Sequence, residues 1–390
     1  MNARTWKALA VGFAVAAVAL LGPTVWGLAR SGPPGVVRTY YIAADEVEWN
    51  YAPLGYNAIS GEAFGDVENV FVENGPYRIG STYVKALYRE YTDASFTTLK
   101  QAPAAWEHLG TLGPVIRASV GDSIQVLFKN NARFEFSVHP HGVFYDKDSE
   151  GAPYADGTDL KDDDMVPPGG MHTYTWPVPE RAGPGPMDGS SVFWMYHSHV
   201  DEPGDTNAGL IGPIVITKRN MARADATPSD ISKEFVNLFT VFDENRSPYL
   251  EYNIETYILA KWWPDLLMAG RPVDKEAFVE ALLEDEGFHE SNLMHSINGY
   301  VYGNLPGLRT GLSETTRWYL LGMGTEVDLH TPHWHGQTLV SMGMRVDVLE
   351  LLPGSMKIAD MTPDNPGIWL YHCHVNDHID AGMIALFEVR

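Results

Sequence analysis

Cysteine is almost absent from this chain: 390 residues contain one, Cys373. No disulfide can form within the chain, so stability has to come from buried apolar cores, bound ligands or assembly. Basic residues are scarce as well, 27 Lys and Arg against 50 Asp and Glu, which leaves a formal charge of −23. A surface of that sign repels nucleic acid and anionic lipid and attracts cations, so nucleic acid is not expected as a partner. Charge is missing altogether between Ala8 and Ala29, shortly after Arg4 and Lys7. Residues 1–30 therefore read as a signal peptide or an N-terminal anchor: Gly27 and Ala29 offer a small-residue cleavage site, and the run is long enough to span a bilayer. Either way the chain is expected to be exported, to a periplasm, the medium or the cell surface.

Turn-forming and aromatic residues are plentiful. With 37 Gly, 26 Pro and 12% aromatics the composition fits all-β sandwiches, and the length suffices for two domains of ordinary size. One unit also recurs. Leu112-Gly-Pro-Val-Ile-Arg117 and the alternating Ser123–Phe128 lead into His139-Pro-His-Gly142, while Leu305-Pro-Gly-Leu-Arg309 and Trp318–Leu321 lead into His330-Thr-Pro-His-Trp-His-Gly336. Two domains are expected, 36–218 and 219–390, joined through the charged, Pro-containing stretch Lys218–Lys233. Apolar positions at helical spacing over 256–287 predict a short helical insertion in the second.

Ten of the fourteen histidines fall in four blocks: His139/His141, His197/His199, His330/His333/His335 and His372/His374/His378. A single histidine is most often a satisfied core or surface imidazole, but ten in paired spacing near strand ends are not explained that way. The last block runs His372-Cys373-His374, then His378, then Met383. It supplies a thiolate, imidazoles and a weak thioether, the set that binds a blue copper ion. Side chains alternate along a strand, so Cys373 faces one way and His372 and His374 the other. One strand can therefore serve two different copper centres.

The stretches HPHGVFYDKDSEG, MYHSHVDEPGD, AGLIGPIVI, HSINGYVYGNLPGL, GMGTEVDLH and PGIWLYHCHVNDHIDAGM resemble the multicopper oxidases, and within them the ceruloplasmin and hephaestin branch, from about residue 38 to Arg390. The resemblance implies an all-β chain of two cupredoxin-like (plastocyanin-like) Greek-key β-sandwich domains. It also implies type 1, type 2 and binuclear type 3 copper, four ions per functional unit. Carried over by position, His330, Cys373, His378 and Met383 would hold type 1 copper, and His139 and His333 type 2 copper. The type 3 pair would take His141, His197, His199, His335, His372 and His374. In the first domain the type 1 positions hold Phe136, Ser198, Pro203 and Leu210, so that domain is expected to keep only its half of the trinuclear centre.

By the same resemblance a reductant would give one electron at a time at the type 1 site. The electrons would pass through Cys373 to its neighbours His372 and His374, and the trinuclear centre would reduce dioxygen to water. Asp156 and Asp201 are candidate proton donors, although Asp156-Gly157 is equally a turn signal. Glu290, His295 and Asp377 match positions that bind Fe(II) in iron-oxidising members. Hard carboxylates with an imidazole suit that ion and its Fe(III) product; the bland alternative is a surface acidic pair and a capping histidine. A ferroxidase is therefore expected, with a laccase-like oxidase of phenols or a cuprous oxidase as alternatives. A copper nitrite reductase resembles chains with blue copper in the first domain. Complete ligand blocks argue against a non-enzymatic copper-binding scaffold.

Asp159, Asp162, Asp163 and Asp164 resemble a calcium-binding loop of the same family, although a solvated charge run fits the spacing. His108, His172 and His289 lack a partner block and are expected to be structural or exposed. Met342 and Met344 are expected in a core rather than at a soft Cu(I) contact. Trp194, Tyr196, Trp369 and Tyr371 are expected to wall the ligand blocks. In six-domain relatives three two-domain repeats close a ring. This chain corresponds to one repeat, so a homotrimer with trinuclear centres between subunits is expected.

Overall fold

The computed structural model describes residues 35–155, 157, 163–269 and 274–390. The expected export segment, Asp156, Asp159 and Asp162 lie outside the described residues, among which no helix is long and apolar enough to cross a membrane. Strand patterning follows the sequence closely. In Ser123–Asn130 the side chains of Ile124, Val126, Phe128 and Asn130 are buried and their neighbours only half-buried, the alternation of a strand with one face on a core.

Between Val37 and Thr217 the strands form two four-stranded sheets. One runs Thr82–Tyr91, Val37–Asn50, Ser123–Asn130, Met171–Pro177; the other runs Ile116–Ser119, Ile211–Thr217, Ser191–His197, His139–Pro140. The order repeats between Lys233 and Val389. There one sheet begins Leu293–Ile297, Lys233–Asp243, Thr316–Gly322, Ser355–Met361, and its partner runs Arg309–Thr310, Ile384–Val389, Gly367–Cys373, Pro332–Trp334. Even the parallel pairing of Val37–Asn50 with Ser123–Asn130 recurs between Lys233–Asp243 and Thr316–Gly322. The repeat legible in the sequence is thus a repeat of strand order.

The C-terminal half carries two additions. A hairpin, Leu339–Ser341 and Met344–Val346, extends the larger sheet. Its turn exposes Met342 by 77% and Met344 by 63%, so the expectation that these methionines pack in a core is wrong. Met342 and Gly343 both have positive φ, and a tight two-residue turn leaves no core within reach. The second addition is helical and longer than 256–287. Leu250–Ile254 passes through a π turn at Glu255–Leu259 into Ala260–Met268, and Lys275–Leu283 and Glu286–Ser291 follow. Asp274 and Asp285 accept hydrogen bonds from the first turns of the last two helices. The early start has a tertiary cause: Asn253 pairs through its side-chain amide with both backbone groups of Val84.

Each half has its own apolar core, and a further cluster joins them, with Tyr51, Tyr83, Phe193 and Ile211 packing among Val236, Leu238, Tyr319 and Leu321. Inside this seam Lys85 and Glu244 form a fully buried ion pair. Lys85 also donates to the carbonyl of Asn207, at 2.7 Å, and Tyr51 donates to Glu244 at 2.5 Å. Burial pushes Glu244 up and Lys85 down, and the charge of each opposes the shift of the other. A buried pair gains little net free energy, but removing one partner strands the other. Lys85→Met should therefore destabilise the protein by about 3–5 kcal/mol in denaturant unfolding, and the double variant Lys85→Met/Glu244→Leu should recover most of that loss. Equal losses would show that the seam does not depend on the pair.

Candidate metal centre

The C-terminal strand Gly367–Cys373 turns Cys373 into the core of its sandwich, where it is fully buried. His330, Cys373 and His378 each bring one ligand atom to within 4.8 Å of the others. His330 fixes its ring by bonding Nε2 to the carbonyl of Met323 at 2.9 Å, which leaves a buried Nδ1 with no hydrogen-bond partner. Nδ1 of His378 lies 3.6 Å from Sγ of Cys373, and the amide of Thr331 donates to that sulfur at 3.3 Å. Met383 is fully buried beside them, its carbonyl accepting from the amide of Cys373. Burial holds His330 down at about 4 and lowers His378, so both imidazoles are neutral and ready to ligate. Two neutral imidazoles, a thiol and a thioether residue fit the His2Cys-with-methionine demand of a blue copper ion, and the orphaned Nδ1 of His330 gains a partner if one binds.

The N-terminal half keeps the frame of this site without its donors. The amide of Ser137 donates to Oγ of Ser198 at 3.0 Å, as that of Thr331 does to Sγ of Cys373. The amide of Ser198 bonds to the carbonyl of Leu210, as that of Cys373 does to Met383. Phe136 and Leu210 are fully buried where His330 and Met383 stand in the other half. The cavity is filled by apolar side chains, and Ser198 points its hydroxyl at Asp205, 2.6 Å away.

The remaining histidines form two matching sets of four. In the N-terminal half His139 and His197 are paired across strands, and the rings of His141 and His199 close around them. In the C-terminal half His333 and His372 are paired in the same way, flanked by His335 and His374. Nε2 of His141 lies 3.1 Å from that of His197, and Nε2 of His335 lies 3.0 Å from that of His372. Backbone carbonyls hold the opposite nitrogens: Glu150 on His139, Ser198 on His197, Asp347 on His333 and Cys373 on His372. These bonds fix the rings so that Nε2 presents a lone pair, the arrangement expected of metal ligands. Burial, and for His141 the neighbouring His197, hold His141 and His197 down at about 4. Both sets end in glycines with little freedom. A Cβ on Gly142 would sit 2.2 Å from the Trp194 indole, and one on Gly336 2.8 Å from Trp369, both at positive φ. Those tryptophans pack on the glycines that end the two sets, whereas Tyr196 and Tyr371 are buried in the two sandwich cores, on the strand face opposite His197 and His372. Among the described residues no hydrogen bond or ring contact joins one set of four to the other.

Beside the thiol site, the ring of His295 lies 5.3 Å from that of His378. Burial and the neighbouring His378 hold His295 down at about 4, against the raising charges of Asp328 and Asp377. Asp377 is exposed and acts on both imidazoles, whereas Glu290, at the exposed end of its helix, makes no hydrogen bond or ion pair with either. Asp328, two residues before His330, was missed in the sequence; its charge reaches His295, His330 and His378. Of the proposed proton donors, Asp201 is exposed and makes no side-chain hydrogen bond to the histidines, while Glu202 reaches His199 at 3.6 Å. Asp205 is buried, accepts from Ser198 and from the amides of Val200 and Asp201, and is raised by burial to about 6. A fixed offset from His199 could have suggested Glu202, but nothing in the sequence announces a buried Asp205. His108 is buried, accepting from the amide of Val236; His172 bonds to the carbonyl of Asp148, and His289 is exposed. Asp163 and Asp164 are buried, Asp163 bracing the amides of Glu150 and Gly151, which departs from a solvated charge run.

Family models described as multicopper oxidase match residues 90–221 and 283–390. The chain is 45% identical to ferroxidase HEPHL1 of Homo sapiens over 93% of its own length and 30% of that protein. It is 44% identical to human hephaestin, covering 91% of the chain and 30% of the relative, and 40% identical to human ceruloplasmin, covering 90% and 30%. The chain thus spans about 30% of the length of these relatives. In fold it is similar to multicopper oxidase mgLAC (TM-score 0.55, 17% identity, 91% of this chain and 86% of that one). A blue copper oxidase from Nitrosomonas europaea gives a TM-score of 0.53 at 16% identity, covering 90% and 86%.

Asp205 supplies a pH test. A carboxyl raised from 3.8 to about 6 adds stability that is full below the lower value and lost as pH rises through the upper one. Asn cannot lose that proton. In the copper-free protein Asp205→Asn should therefore gain on the wild type by a few degrees in Tm as pH rises from about 4 to about 7, read by calorimetry. A difference independent of pH would contradict the assignment.

Proposed function

The chain belongs to the multicopper oxidase family, and on that premise we propose that it is a ferroxidase, coupling one-electron oxidation of Fe(II) to four-electron reduction of dioxygen to water. The observation that carries the iron reading is the contact of His295, buried and neutral, with the ring of His378, under the charges of Asp328 and Asp377. Family membership implies copper. In this reading His330, Cys373, His378 and Met383 hold type 1 copper, His139 and His333 hold type 2, and the other six histidines hold the type 3 pair. Bound there, copper would take up electrons singly and deliver them to dioxygen.

The protein's own groups perform the rest. His295 offers an uncharged nitrogen, while Asp377 and Glu290, both at the surface, attract a divalent cation and favour the more highly charged product. Cys373 is covalently joined to His372 and His374, a through-bond path from one centre to the other. Asp205 takes up a proton as pH falls through about 6, and Glu202 lies against His199. The domain division at 36–218 and 219–390, and export to a periplasm, the medium or the cell surface, belong to the same proposal.

Dioxygen uptake with Fe(II), then with a phenol, separates a ferroxidase from a laccase-like enzyme. Replacing Glu290 and Asp377 by Ala together should lower Fe(II) oxidation at least about tenfold more than phenol oxidation, because only the metal substrate needs anionic ligands. Equal losses would mean that type 1 copper itself was disturbed.

The chain is further proposed to work as a homotrimer. Each histidine set holds four of the eight imidazoles a trinuclear centre takes in this family, and among the described residues no hydrogen bond or ring contact joins the two sets. A head-to-tail contact between the N-terminal half of one copy and the C-terminal half of the next is heterologous and closes under threefold symmetry. Mixing a His139/His141 variant with a His372/His374 variant should then restore part of the oxidase activity, since some interfaces in mixed trimers carry two intact sets. No recovery after dissociation and reassociation would contradict shared centres.

A further inference from the structure

We infer that Tyr83 and Phe71, both in the N-terminal half, are positioning residues for the reductant site in the C-terminal half; the inference rests on the Fe(II) reading above. Glu290 and His295 bracket Asn292, which is fully buried and held at four points. Its amide donates to the carbonyl of His289 at 3.2 Å, and its carbonyl accepts from the amide of Glu244 at 3.0 Å. Its side chain donates to Asn245 at 2.9 Å and accepts from the hydroxyl of Tyr83 at 2.8 Å. Three of these partners lie in the C-terminal half; Tyr83 is the one that crosses the seam.

Tyr83 stands on the strand Thr82–Tyr91, with Lys85 two residues on and so on the same face. Tyr83 meets Asn292 while Lys85 meets Glu244, so one strand face grips both members of the Glu244·Asn292 backbone pair. Phe71, on a short helix over Asn69–Val72, sets its ring 5.8 Å from that of His295 at 72°. The His295 ring is then confined on three sides, by its Nδ1 bond to the carbonyl of Leu293, by Phe71 and by His378. Its Nε2 is left for a cation. Without Tyr83 the side-chain oxygen of Asn292 is buried and unpaired, and the cheapest relief is a shift of the Glu290–His295 segment. That shift separates Glu290 and His295 from Asp377, which rides on the other side of the site.

The test uses the copper-loaded full chain. Tyr83→Phe should raise KM for Fe(II) about tenfold while leaving kcat for Fe(II), KM for a phenol and the blue absorption within about twofold. Hydrogen exchange should quicken at the amides of 292–295 with little change elsewhere. Phe71→Leu, which leaves every hydrogen bond in place, should give the same split through His295 and serves if the Tyr83 variant fails to fold. An unchanged KM for Fe(II), in a protein whose Glu290→Ala/Asp377→Ala variant does lose Fe(II) oxidation selectively, overturns the inference and leaves the ferroxidase reading standing. Equal increases in KM for phenol, or loss of blue colour, overturn it as a general effect on the fold. If the carboxylate variant shows no selective loss, the ferroxidase reading falls and this inference with it.

Discussion

The alternation of side chains along one strand governs the arrangement of this protein. Cys373 has to face the core of the C-terminal sandwich to meet His330 and His378, so its neighbours His372 and His374 must face away from that core. The thiol site is consequently buried and complete within one chain. The histidines lie on the opposite face of that strand, and among the described residues no hydrogen bond or ring contact joins them to the set in the N-terminal half. His374 is exposed, and its counterpart His199 is 38% exposed in the other half. Each set of four imidazoles, with His197 or His372 buried and the rings braced by backbone carbonyls, reaches the surface at one edge, and this motivates the proposed trimer.

The seam between the halves follows a different logic. One core cluster, the Lys85–Glu244 pair and the fork of Arg317 on Asp360, Ser190 and Ser191 weld the two sandwiches over a wide area. A buried ion pair contributes little net stability and penalises every misaligned packing, which suits a seam that must hold a fixed register. The N-terminal half, having traded its thiol for Ser198 and its imidazole for Phe136, is left as a source of histidines on one side and as a support for the Glu290–His295 segment on the other.

The sequence made the strand alternation, the repeat and the ligand blocks legible because each rests on local spacing. His330, Cys373 and His378 are brought together by the fold as the blocks suggested, and the loss of the thiol site from the N-terminal half was visible position by position. What escaped depended on contacts between distant segments. Asp205 is unremarkable as a residue seven positions after Ser198; its raised pKa comes from burial beneath that serine. Leu250–Ile254 is helical because Asn253 pairs with Val84, a contact no window of sequence contains. Met342 and Met344 read as core by composition, yet sit on a hairpin turn where no core is within reach. Tyr83 carries no functional signature, and only the fold sets it against Asn292.

The central claim is that the chain completes its histidine centre with another copy of itself. Light scattering and copper analysis across a size-exclusion profile of the copper-loaded protein test it most directly. The account predicts that dioxygen-reducing activity elutes only with a species of three chains carrying four coppers per chain, and that any single-chain species retains the blue centre without reducing dioxygen. A 43.2 kDa monomer that carries four coppers and reduces dioxygen at the full rate would contradict it.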